Sequence, residues 1–218
     1  MSTEPAPLTF HERDSAHAPE GVLFLHHGRG TDERDLLPLA DALDPGRRLQ
    51  VVLPRAPLRV PGAPGHHWYW VPRVGYPDPE TFAGARTRLA ALHDEVWQRT
   101  GLGPERTVLG GFSMGTVMSY ALGLSADRPA PAGILAFSGF IPTVEGWQPE
   151  LHGREATTKV LIAHGRRDPV IDVSFARQAR ATLEQAGFDV DYRESDTVHT
   201  IDPQDIVRAA RWLDAILA

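Results

Sequence analysis

The sequence predicts an α/β fold, a mostly parallel central sheet with helices on both faces. Short, near-continuous apolar runs at residues 21–25 (GVLFL), 49–53 (LQVVL), 133–137 (GILAF) and 159–163 (KVLIA) read as strands buried on both sides. Longer segments with apolar residues at helical spacing separate them, the pattern of parallel strands joined by crossover helices. There is no internal repeat and no low-complexity tract to suggest another architecture.

In chain order, an edge strand is expected around residues 8–11, within an N-terminal segment (1–20) that mixes acids, prolines and histidines. The strand at 21–25 leads through a loop at 26–31 into a helix over 33–43. Leu36, Leu39, Ala40 and Leu43 share a face there, and Asp32 stands as N-cap. Residues 49–53 return as strand. Residues 54–79 then carry seven prolines together with His66, His67, Trp68, Tyr69 and Trp70, without sustained period. Aromatic residues this dense argue for a long ordered loop rather than a spacer. A helix from near Glu80 aligns Phe82, Leu89, Leu92 and Val96 and ends near Gly101. Residues 107–109 run as strand into a glycine-rich turn at 110–115, with helix over 117–124. After the strands at 133–137 and 159–163, a helix spans 174–185 and is ended by Gly187. A last strand covers 189–193, and a helix over 202–217 buries Ile206, Val207, Ala210, Leu213 and Leu217.

The 218 residues are 42% hydrophobic and 23% charged. A single domain over 1–218 is expected, large enough to bury roughly 70% of the surface of its unfolded chain. The absence of cysteine excludes disulfides, thiolate metal sites and a cysteine nucleophile. A formal charge of -6, with no basic run longer than pairs such as Arg47-Arg48 and Arg166-Arg167, argues against nucleic acid as a partner. No segment approaches the roughly 20 apolar residues of a membrane span. The first twenty residues carry no apolar stretch that secretion machinery reads, so a cytoplasmic location is expected.

Gly111-Phe112-Ser113-Met114-Gly115 matches G-x-S-x-G between a strand and a helix. There, small residues let a serine sit on a strained turn with its hydroxyl exposed above the sheet. A serine hydroxyl is a poor nucleophile at neutral pH and needs a base, which in turn needs an orienting carboxylate. Asp168, after the strand at 159–163, and His199, in the loop before the final helix, supply them. The order Ser113, Asp168, His199 is that of α/β-hydrolases, and each residue follows the carboxyl end of an expected parallel strand. Asp172 is the alternative acid. The oxyanion donors fall on the amide of Met114 and on that of Arg29 in the loop His26-His27-Gly28-Arg29-Gly30. His164 precedes the acid in the chain and reads as a structural strand-end residue. His93 reads as a partly buried residue on a helix face, and Asp32, Glu33 and Asp35 as helix-start acids. Adjacent pairs such as His26-His27 and His66-His67 do not have metal-ligand spacing, so no metal is expected.

The run Leu25-His26-His27-Gly28-Arg29-Gly30, the segment Asp32 to Ala40, Gly111 to Gly115, Ser138-Gly139-Phe140-Ile141-Pro142 and His164 to Val170 together resemble the phospholipase/carboxylesterase family of small α/β-hydrolases, which includes acyl-protein thioesterases. The likeness runs from about Gly21 to the end. It implies a minimal α/β-hydrolase fold with little or no cap domain, Ser113, Asp168 and His199 as triad, oxyanion donors at Arg29 and Met114, and no cofactor. It also allows a homodimer. Trp68, Tyr69 and Trp70 stand where the family places an aromatic loop beside the acyl pocket, and Phe112 and Ile141 are further substrate-binding candidates. Two departures qualify the likeness. Met114 and Thr116 replace the glutamine and second glycine usual in acyl-protein thioesterases, and Val198 replaces a glycine before the histidine.

The resulting expectation is a carboxylesterase-type serine hydrolase acting on a small-molecule ester of short to medium acyl chain, with activity rising as the base loses its proton. A thioesterase or lysophospholipase acting on long acyl chains is the alternative within hydrolases. A non-catalytic ligand-binding protein on the same fold is the alternative outside them.

Overall fold

A computed structural model describes residues 6–59, 61–62 and 65–217. Residues 1–5 of the N-terminal segment and residues 60, 63 and 64 of the proline-rich stretch therefore lie outside the description. In chain order the elements begin with β1 (Phe10–Arg13), β2 (Gly21–His26), α1 (Leu37–Leu43), β3 (Leu49–Pro54), β4 (Leu58–Arg59) and β5 (His66–His67). They continue with α2 (Pro79–Thr100), β6 (Thr107–Phe112), α3 (Met114–Gly123), β7 (Gly133–Phe137) and β8 (Lys159–Gly165), then α4 (Ser174–Gln185), β9 (Val190–Ser195) and α5 (Pro203–Leu217).

Seven strands form one sheet in the order β1-β3-β2-β6-β7-β8-β9. Only β1 runs antiparallel, pairing Phe10 with Pro54 and Arg13 with Val51; every other pairing in the sheet is parallel. Alternation along β2 divides the core. Val22 and Phe24 face one cluster with Leu89, Val117 and Leu183 of α2, α3 and α4. Leu23 and Leu25 face another with Leu43 of α1 and Leu213 and Leu217 of α5. The strands are thus covered on both faces, which is why they read as continuous apolar runs. Because all the parallel strands end on the same edge, the loops after β2, β6, β7 and β8 and the loop between β9 and α5 gather there.

Three of the differences from expectation have local physical causes. The first helix starts at Leu37 rather than near 33, because Pro38 sits in its first turn and has no N–H to give the carbonyl of Arg34. Residues 33–36 form turns instead, and the Asp32 carboxylate accepts from the amide of Arg34 at 2.9 Å rather than capping the helix. The helix α3 begins at Met114, directly after the turn, and all of its residues are buried. A helix without a polar face carries no period that would mark its start. In α5 the buried stripe is Asp205, Ala209, Leu213 and Leu217, while Val207 is exposed. The acid hid the true stripe: Asp205 is buried against Arg193, with Nε to Oδ1 at 2.7 Å, and burial raises its pKa.

Candidate active site

The turn between β6 and α3 is built around two positions that admit no side chain. A Cβ on Gly111 would lie 2.5 Å from the carbonyl carbon of Gly115, and one on Gly115 would collide with the carbonyl of His26 at the end of β2. Between them Ser113 adopts φ 56° and ψ -119°, a conformation that L residues hold only under constraint. Its amide donates to Phe137 O at 2.9 Å, and Thr116 Oγ1 lies 2.6 Å from Gly111 O and 2.7 Å from Phe137 O. The serine is thereby fixed where the first turn of α3 presents its free amide groups and positive dipole end.

His199 reaches this serine from the loop after β9. Its Nε2 is 2.9 Å from Ser113 Oγ, and its Nδ1 is 2.6 Å from Asp168 Oδ2. The other carboxylate oxygen of Asp168 accepts from the amides of Val170 and Ile171 at 2.8 and 2.9 Å. A carboxylate is acceptor-only, so the imidazole hydrogen is assigned to Nδ1 and the lone pair of Nε2 faces the serine. The loops carrying the acid and the histidine are laced together, since Arg166 N donates to Ser195 O at 2.8 Å and Arg167 N to Thr197 O at 3.0 Å. Asp172 takes no part: its carboxylate accepts from Ser174 N at the start of α4.

His164 at the end of β8 lies beneath the acid. Its Nε2 is 2.8 Å from Ile171 O and 3.3 Å from Asp168 Oδ2, so it braces the turn that holds the carboxylate.

An apolar cavity of about 110 Å³ opens over Ser113, with Arg29 and Met114 beside the serine and Tyr69 in its wall. The loop after β2 comes this close because Gly28 has no side chain; a Cβ there would stand 3.2 Å from the ring of Phe112 and 3.7 Å from Ser113 Cβ.

The remaining aromatic candidates fall elsewhere. Trp68 is fully buried behind the loop after β2, where its Nε1 donates to His27 O at 2.9 Å. Trp70 is 42% exposed and packs edge-on against His67. The chain bends at residues 68 and 69 after β5, and of the three rings Tyr69 enters the cavity while Trp68 and Trp70 do not. Phe112 packs on the imidazole of His199 with ring centroids 4.9 Å apart, supporting the base rather than lining the cavity. Ile141 borders a separate cavity of about 160 Å³ on the far side of Phe140. The rest of the site cavity is lined by Val71, Val74, Phe140, Val170 and Ile171, which sequence reasoning did not single out. Phe140, Val170 and Ile171 lie in the loops after β7 and β8, and their position at the carboxyl ends of parallel strands was the available signal.

Burial lowers the pKa of His26 to about 3 and pushes those of His27 and His93 below the ordinary range, so these imidazoles are neutral at pH 7. Among the described residues no group of three or more His, Asp or Glu side chains is disposed to hold a metal ion, and no helix is long and apolar enough to cross a membrane.

Comparison with known proteins adds the following. A family model described as Phospholipase/Carboxylesterase matches residues 12–217. An acyl-protein thioesterase 1 of Debaryomyces hansenii is 25% identical over 179 residues, covering 78% of this chain and 77% of that protein. One of Gibberella zeae is 26% identical over 212 residues, covering 86% and 85%. Among solved structures, esterase PE8 is 31% identical with a TM-score of 0.80, covering 97% of this chain and all of the other. A Bacillus cereus carboxylesterase shares the fold with a TM-score of 0.82 at 23% identity, covering 96% of this chain and 94% of the other.

Proposed function

The chain belongs to the phospholipase/carboxylesterase family of α/β-hydrolases, and from that premise we propose that it cleaves carboxylic esters of short to medium acyl chain through an acyl-serine intermediate. The observation that carries this reading is the line of contacts from Asp168 through His199 to Ser113, at 2.6 and 2.9 Å, which ends at the serine lining an apolar cavity.

In the proposed reaction His199 Nε2 takes the Ser113 proton as Oγ attacks the ester carbonyl. The carbonyl oxygen, now anionic, is held by the amides of Arg29 and Met114. Collapse of the tetrahedral species breaks the bond to the alcohol oxygen, which leaves with the proton from His199. Water then gives a proton to His199 and attacks the acyl-serine; a second collapse frees the acid and returns the proton to Ser113. The balance closes with water as the only co-reactant.

The apolar lining of the cavity suits an acyl group, and Met114 and Thr116, in place of the glutamine and second glycine usual in acyl-protein thioesterases, support short to medium chains. A second reading, hydrolysis of acyl thioesters or long-chain esters, is supported by the relatives named acyl-protein thioesterase 1. Measuring kcat/KM on p-nitrophenyl esters from acetate to palmitate, with an acyl thioester alongside, separates the two. A maximum at short chains upholds the first reading, and a maximum at long chains or on the thioester moves the assignment to the second. No turnover on any member leaves the α/β-hydrolase fold as a ligand-binding scaffold.

A further inference from the structure

The amides of Arg29 and Met114 come from different parts of the chain, one from an irregular loop after β2 and the other from the first turn of α3. A helix fixes its own first turn. The loop at residues 27–31 has no such frame, so its geometry has to come from the groups around it.

Two of its restraints are internal. Nδ1 of His27 is 2.7 Å from Gly28 O, and Thr31 Oγ1 donates to the same oxygen at 3.2 Å. The carbonyl of Gly28 and the N–H of Arg29 belong to one planar trans peptide and point in opposite directions. Whatever holds Gly28 O therefore aims the Arg29 N–H.

The remaining restraints come from the stretch after β3. The amide of Ala56 donates to His27 Nε2 at 3.0 Å, which leaves Nδ1 as the protonated nitrogen that grips Gly28 O. Burial keeps the imidazole neutral, as this pattern requires. Gly30 N donates to His66 O at 2.7 Å and His66 N to Thr31 O at 2.8 Å, a short antiparallel bridge made feasible because Gly65 lies flat on Gly30, where a Cβ would collide.

Trp68 completes the set with contacts to both sides. Its Nε1 donates to His27 O at 2.9 Å, and its backbone amide approaches Met114 Sδ at 3.2 Å. The ring also packs on His27, with centroids 5.3 Å apart, and is fully buried.

We propose that Trp68 is a positioning residue for the oxyanion hole, tying the Arg29 loop through His27 to the Met114 side so that the two amides converge over Ser113. This rests on the hydrolase reading above. It assigns the buried indole a part in transition-state stabilisation without substrate contact, and it makes the proline-rich stretch after β3 a frame for the site. Preorganised donors matter because they are aimed where charge develops, and a loosened loop loses that alignment in the transition state more than in the bound ester.

The test compares wild type with Trp68→Phe, and with benzothienylalanine placed at position 68, which keeps the shape of the indole but has no N–H. Two quantities are read: kcat and KM on p-nitrophenyl acetate, and the Ki of a small alkylboronic acid, whose adduct with a serine is a tetrahedral anion. The expected result is a fall in kcat/KM of about ten- to hundred-fold, below the loss from deleting a donor outright. It should lie mainly in kcat, with a parallel rise in the boronate Ki and a KM change under about threefold. Unchanged kcat and Ki in the folded benzothienylalanine protein would overturn the proposal even if its thermal stability drops. So would a loss confined to KM. A wild type that neither hydrolyses the ester nor binds the boronate would overturn the hydrolase reading itself, and the positioning role with it.

Discussion

Gly165 at the end of β8 and Val198 in the loop after β9 meet backbone against backbone: a Cβ on Gly165 would collide with the carbonyl oxygen of Val198. That oxygen also accepts from Thr200 N at 2.8 Å, closing a three-residue turn around His199. Among the described residues, positive φ outside glycine occurs only at Arg47, Ser113 and Ser138, so the turn needs no glycine at 198. The Val198 side chain is 52% exposed. The valine that departs from the family pattern is accommodated, and the close approach that does need glycine lies at Gly165.

Substituting Gly165 by alanine should push the His199 loop away from Ser113. Misplacement on the order of 1 Å costs about a hundredfold in favourable cases, so kcat/KM on p-nitrophenyl acetate should fall by about ten- to a hundredfold. Circular dichroism should show the fold retained. Wild-type kinetics in this variant would mean that the loop position does not govern the base.

Asp168→Asn should lower kcat by about 10⁴, the loss known when a serine protease triad loses its acid, because an amide at that place favours the wrong imidazole tautomer. Asp172→Asn should change kcat by less than about twofold, since that carboxylate serves only the start of α4. Steady-state kinetics on both variants decides the assignment, and the reverse ranking would transfer the acid role to Asp172.

Much of this arrangement was legible in the sequence because the chemistry demands unusual residues at fixed places. Gly111 and Gly115 flank Ser113 because backbone from α3 and β2 leaves no room for Cβ atoms, and the apolar strands are continuous because both sheet faces are covered. What was not legible depends on tertiary contact. The stretch at 54–79 gives no periodic signal, so nothing local reveals that Tyr69 faces the cavity while Trp68 turns inward to His27. The buried stripe of α5 was obscured because Asp205 occupies a core-facing place with Arg193 as partner. The wall formed by Phe140, Val170 and Ile171 exists only where loops from two strands converge.

Acid should destabilise the fold before the carboxylates titrate. Burial lowers the pKa of His26 in the folded protein to about 3, against an ordinary value of 6.5, and also lowers those of His27 and His93. A lowered folded pKa means that the unfolded chain binds more protons in the window between the two values. The stability these groups contribute is present above about pH 6.5 and is lost as pH falls toward 3. His26 alone corresponds to a loss of about 2 kcal/mol between pH 7 and pH 5. Urea unfolding at the two pH values should show the midpoint falling, and His93→Phe, which replaces a buried imidazole packed 4.0 Å from Phe24, should reduce the fall. A midpoint unchanged from pH 7 to 5 would contradict neutral buried imidazoles.

The most direct test of the central claim, that Ser113 is a nucleophile activated by His199, is labelling with a fluorophosphonate followed by peptide mass spectrometry. The account predicts one adduct per chain, on Ser113, absent in Ser113→Ala and slowed by orders of magnitude in His199→Ala. A wild-type protein left unlabelled, or labelled at another residue at a rate indifferent to His199, would contradict it.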